Sequence, residues 1–145
     1  MAFNFNIDNN LVLTGRVETQ DLSKGVFKNA DGSRKIRFTM AVQDNYTKKD
    51  GSPSKQDIPV EAFIPANAVK VENGEESYGI YSTLRTGDLI TVAAHLEDNN
   101  YEKDGAMVYG GVIVRIDQLK HREPKSVSDA RAAQKAAAAA APAQG

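Results

Sequence analysis

The sequence predicts a mainly β chain closed into a small barrel, with a helical insert and an appended tail. Three observations predict it. Apolar and polar residues alternate with a period of two over several runs, turn pairs such as Asp-Gly and Gly-Gly separate them, and one stretch between the third and fourth runs loses that period. The clearest run is residues 34–42, RKIRFTMAV. Ile36, Phe38, Met40 and Val42 fall on one parity, and Lys35, Arg37, Thr39 and Ala41 on the other. A strand sends successive side chains to opposite faces, so one face enters a core and the other leaves Arg37 towards solvent or a ligand.

Residues 1–10 are polar and Asn-rich and read as an irregular arm or a short leading strand. Residues 11–17, LVLTGRV, are β-prone, and Gly15 within them marks a bulge or a sharp bend. A connection carrying Phe27 leads through the Asp31-Gly32 turn into the 34–42 strand. Residues 46–56, YTKKDGSPSKQ, read as a projecting mobile loop with an aromatic at its root. Residues 57–64 alternate again: Ile58, Val60, Ala62 and Ile64 share a face, leaving Phe63 on the polar parity, where no core awaits it. Pro59 lacks an N–H and predicts an edge strand or a bulge. Residues 65–83 read as a helical connection broken at Asn73-Gly74. Residues 89–96 form the fourth strand, with Ile90, Val92, Ala94 and Leu96 inward. A second loop, residues 97–106, carries Tyr101 and an Asp-Gly pair, and residues 107–119 form the closing strand, bent at Gly110-Gly111. Five strands with a helical excursion between the third and fourth are the order of an OB-fold, a five-stranded Greek-key barrel, and a five-stranded meander sandwich is the rival arrangement. The barrel domain spans residues 1–120. Residues 121–145 form an Ala-rich tail, with Ala136 to Ala141 in a row, expected to be disordered or loosely helical for want of a bulky apolar stripe.

With 145 residues, 41% of them hydrophobic, the chain supports one domain and an appendage. It has no run of about 18 apolar residues and no basic-then-apolar start, so neither a membrane span nor a signal peptide is expected. Cysteine is absent, which excludes disulfides and thiolate metal sites and fits the cytoplasm. The formal net charge of −1 gives no global pull towards nucleic acid, but residues 24–55 hold eight basic residues against three acidic ones. A phosphate ligand needs a local positive field, not a positive total.

In order along the chain, Asn9-x-Leu11-x-Leu13-x-Gly15-Arg16, the FTMAV of residues 38–42, the DIPVEAF of residues 57–63, the LRTGDLITVAAHL of residues 84–96, and the stretch from Tyr101 through Asp104-Gly105 to Leu119 resemble the successive strands of bacterial and phage single-stranded DNA-binding proteins. The resemblance covers residues 9–120. It implies an OB-fold, single-stranded DNA as ligand in replication, recombination or repair, and self-assembly as a dimer or tetramer through the opening strand. It also implies base stacking on displayed rings, with cations following the backbone. The rings in fitting places are Phe27, Tyr46, Phe63 and Tyr101, with Tyr109 a further one, and the cations are Arg16, Lys28, Arg37, Lys48, Lys49, Lys55 and Lys103. The chain departs from that family in four ways. It lacks Trp, it places Asp57 where relatives frequently carry an apolar or aromatic residue, residues 72–79 lengthen the helical connection, and it ends in AAAPAQG instead of an acidic tip ending in Pro-Phe. The last departure leaves two readings, a different route to replication or recombination partners or a different natural terminus, and a phage or mobile-element version fits it.

Other functions remain open on the residues. An enzyme is not expected: His95 and His121 are the only histidines and lie far apart, Glu97 and Asp98 head a loop, and no phosphate-cradling glycine motif is present. No metal or cofactor is expected. A replication or assembly adaptor that chiefly binds protein is one rival, and an RNA-binding OB module is another, because stacking alone does not read the 2′-hydroxyl.

Overall fold

The alternation at residues 34–42 becomes the middle of a long strand in the computed structural model, which describes residues 8–140. The strands are β1 (Leu11–Val17), β2 (Val26–Lys28), β3 (Arg34–Thr47), β4 (Pro53–Ile64), β5 (Lys70–Glu72), β6 (Glu75–Ser77), β7 (Leu89–Asp98), β8 (Tyr101–Lys103), β9 (Ala106–Val108) and β10 (Val112–His121), followed by the helix α1 (Lys125–Ala140). Five long strands close the barrel in the order β1-β7-β10-β4-β3, with β3 pairing back onto β1. All neighbours are antiparallel except β4 and β10, which run parallel through Val60–Val114, Glu61–Arg115 and Ala62–Ile116. A meander has no parallel pair, so that seam excludes the sandwich and leaves the Greek-key barrel. The expected leading arm at residues 1–7 and the chain end at 141–145 lie outside the described residues.

Inward parity builds the core as the alternation predicts. Ile36, Phe38 and Met40 of β3, Val60, Ala62 and Ile64 of β4, and Ile90, Val92 and Ala94 of β7 are buried. The inward reading of Leu96 fails at its strand end: it is exposed, as is Val112 at the start of β10, because the barrel has already ended there. A bulge between Ile116 and Gln118 in β10 shifts parity, so that both Ile116 and Leu119 face inward. Gly15 serves closure: a Cβ there would stand 2.2 Å from the Ala41 carbonyl oxygen of β3. Pro59 is not on an edge. Its neighbour Thr39 turns both backbone groups away from β4, donating to Thr19 Oγ1 and accepting from the Glu18 amide. The missing N–H of Pro59 therefore points towards β10, whose pairing begins only at Val60.

Three expectations about connections are corrected. No α-helix joins the third and fourth barrel strands. Short 3-10 turns at Ala66–Ala68 and Gly79–Thr83 flank the hairpin β5–β6. Asn73 and Gly74, with φ of 50° and 79°, adopt the two left-handed positions that favour a tight hairpin, so the pair that broke the helical pattern makes a turn of its own. Arg34 ties this hairpin to the barrel through Glu76 at 2.7 and 3.1 Å, and that guanidinium, with the Tyr78 hydroxyl, holds the Glu76 carboxyl down at about 2.

The 46–56 stretch is not a free loop. Most of it extends the β3–β4 ribbon, braced by Asp44 accepting from Ser54 and Gln56, and residues 48–52 alone make the turn. The tail is a helix docked by polar contacts. Ser128 donates to Asp88 at 2.7 Å, Arg131 forks onto Glu123 at 2.8 and 2.9 Å, and Arg85 reaches Asp129 at 2.5 Å. No helix among the described residues is long and apolar enough to cross a membrane.

Candidate nucleic-acid interface

Outward parity on β3 and β4 sets the site. Strand register places Phe27, Lys35 and Phe63 side by side across β2, β3 and β4. Both rings stay open to solvent, at 48% and 51% exposure, because a ring on the outward parity of a closed barrel has nothing to enter. The Lys35 ammonium lies 5.1 Å from the centre of the Phe27 ring, a cation–π distance. The result is two apolar plates with a cation between them.

The next row crosses four strands. Arg37 of β3 faces Glu61 of β4, which faces Arg115 of β10, which faces His95 of β7. Arg115 also meets Glu97 at 3.2 Å, and His95 is held between Asp117 at 2.9 Å and Glu97 at 2.7 Å. The Asp117 hydrogen bond, then that of Glu97, raises the His95 pKa above its ordinary 6.5, while His95 and the Arg115 charge hold Glu97 below the usual carboxylate range. Along the contacts Arg37, Glu61, Arg115, Glu97, His95 and Asp117, cations and carboxylates therefore alternate. The β7–β10 side is internally neutralised, while Lys35 and Arg37 keep much of their length in solvent on the β3 side.

The other expected site residues divide into those that remain free and those that are committed elsewhere. Tyr46, Lys48 and Lys49 sit at the far end of the β3–β4 ribbon, with Tyr46 exposed and neither lysine in an ion pair among the described residues. Tyr101 and Lys103 share one face of the β8–β9 hairpin, whose turn is made by Asp104 and Gly105 with φ of 54° and 77°. Because β4 and β10 run parallel and β10 starts at Val112, this hairpin leaves the barrel at the same end as the ribbon. Tyr109 is exposed nearby in sequence. Lys28 is exposed but 3.7 Å from Glu76.

Two of the expected cations already carry carboxylate partners. Arg16 binds Glu123 at 2.9 Å and the Gly87 carbonyl at 3.0 Å, on the side where α1 docks. Lys55 is paired with Glu18 and lies 3.4 Å from Asp57, so that carboxylate, whose charge alone would repel phosphate, is itself partly neutralised. Sequence reasoning left Lys35, Glu61 and Arg115 out of the site. Lys35 was within reach, since it shares the parity of Arg37 and Phe63 lies on the polar parity of its own strand. The meeting of Glu61 with Arg115 follows from the parallel register, which alternation does not specify.

No family model matches the chain, and no curated protein does. Among solved structures it is similar to a deletion mutant of the single-stranded DNA binding protein from Thermus aquaticus, with a TM-score of 0.51 and 20% identity, over 81% of this chain and 52% of that one. The chain thus spans about half the length of that protein. The likeness establishes the fold, a five-stranded OB barrel.

Proposed function

We propose that this protein binds single-stranded DNA with little regard to sequence, along the outward face of β3 and β4. The observation that carries the proposal is the row Phe27, Lys35 and Phe63: two half-exposed rings flanking a cation on adjacent strands. Every base offers a π face to such rings, at about 1–3 kcal/mol per stacked base. Lys35 and Arg37 then meet the phosphates, with Lys48, Lys49 and Lys103 at the far end. The neutralised β7–β10 side favours a track along the strands of the β3–β4 ribbon over one across the whole barrel. Protection of single strands during replication, recombination or repair follows from such binding. Self-association through β1, whose Val12 is exposed, belongs to the same reading.

Fluorescence anisotropy with oligo-dT, oligo-U and duplex DNA across a salt series tests it. Single strands bind in preference to duplex, affinity falls with salt as condensed counterions are released, and Phe27→Ala with Phe63→Ala weakens binding by about 1–3 kcal/mol per ring. Equal binding of the double variant would refute the stacking row. Preference for oligo-U would turn the reading to RNA.

A further inference from the structure

Glu61 stands out on this face because it is only 6% exposed and lies at the centre of a surface otherwise suited to phosphate. Lys35 Nζ and Arg37 Nε are each 4.0 Å from its Oε1, and Arg115 Nη2 is 3.8 Å from its Oε2. All three distances exceed hydrogen-bond length, and the buried Oε2 accepts no hydrogen bond from the described residues. A buried carboxylate held by charge alone is a poor source of stability, since desolvation opposes the Coulomb attraction. Its position offers a different role. The three cations lie beside it without a hydrogen bond to it.

We propose that Glu61 is a built-in competitor for the phosphate backbone, an anion that the ligand must outbid for Lys35, Arg37 and Arg115. This rests on the single-strand reading above. In the free protein Glu61 already neutralises part of this cationic cluster, so fewer solvent counterions gather there and fewer are released on binding. Two consequences follow. The strand is held less tightly than the cations alone would hold it, and the affinity depends less steeply on salt. Arg115 is shared with Glu97, so Lys35 and Arg37 are the cations most able to swing outward to phosphate.

The test is oligo-dT binding by the full chain across a salt series, comparing wild type with Glu61→Gln. The variant is expected to bind roughly two- to fivefold tighter at low salt, the scale of one partly exposed ion pair. Its log–log salt slope should steepen by about 0.7, the value of one more released counterion on a single strand. A role confined to packing would not move that slope. Glu61→Met fills a similar volume without charge and makes the same comparison if the Gln variant folds poorly. Asp129→Asn on α1 makes the same change of net charge away from the site and should leave affinity and slope unchanged. If wild type binds oligo-dT but neither Glu61 variant binds tighter with a steeper slope, the competitor role is overturned and the stacking row stands. If wild type binds no single strand, the functional reading fails and this inference with it.

Discussion

His95 has both ring nitrogens within hydrogen-bond distance of carboxylates, Nδ1 at Asp117 and Nε2 at Glu97. Asp117, and secondarily Glu97, raises its pKa above 6.5, so the fold favours the protonated ring. The sign follows from linkage: this contribution is complete below pH 6.5 and is lost as pH rises through the higher folded value. Thermal melts should therefore show wild type losing stability relative to His95→Gln as pH is raised from 6 to 8, with an NMR titration placing the His95 midpoint above 6.5. Parallel melting curves over that range would contradict the arrangement. The residues of this row also show where reading the chain stops. The outward placement of Phe63 and Arg37 was legible from alternation within one strand. The pairing of His95 with Asp117 was not, because it depends on a bulge in β10 that turns Asp117 out of the regular register.

Individual elements were legible in proportion to how far their cause is local. The long strands follow from a period of two, and the Asn73-Gly74 and Asp104-Gly105 turns from residues that tolerate positive φ. The expected helix before β7 failed because a hairpin, anchored by the distant Arg34, replaced it. The tail shows the opposite limit. Its alanines predict helix, but nothing in an Ala run predicts docking, which depends on charged groups from three separate segments. Burial opposes ionisation of Glu123, yet the Leu89 amide, Arg131 and Arg16 together hold its carboxyl below the usual range. At 16 residues α1 is barely longer than the roughly 12–15 residues below which isolated helices are marginal in water, so these contacts weigh on how far it persists. Arg131→Met should strip α1 of hydrogen-exchange protection and lower stability by about 1–3 kcal/mol, the scale of a charged hydrogen bond, while β3 and β4 amides stay the most protected. Unchanged protection in α1 would show that the helix is held by something other than this latch.

Across the molecule, the two ends of the proposed track lie far apart. Tyr46 stands near Ser54 on the ribbon, and Phe63 lies nine residue steps beyond Ser54, about 30 Å at strand spacing. A strand stacked at about 3.4 Å per nucleotide needs roughly nine nucleotides to cover that distance. Oligo-dT affinity should climb with length up to about this size and then level off, apart from the statistical gain of extra sites. A plateau at three or four nucleotides would confine binding to the Phe27–Phe63 end. The barrel itself is joined by contacts distant in sequence, and these were the least legible part of the fold. β1 pairs with β7 across some seventy residues or more, and the β4–β10 seam is made by the last strand. During synthesis, then, the first strand to leave the ribosome waits for nearly the whole domain before its far neighbour exists. A nascent chain halted after residue 98 would display β4 and β7 with open edges, a template for pairing with other chains. Holding that unfinished intermediate apart from its neighbours is a burden that falls on chaperones until the closing strand emerges.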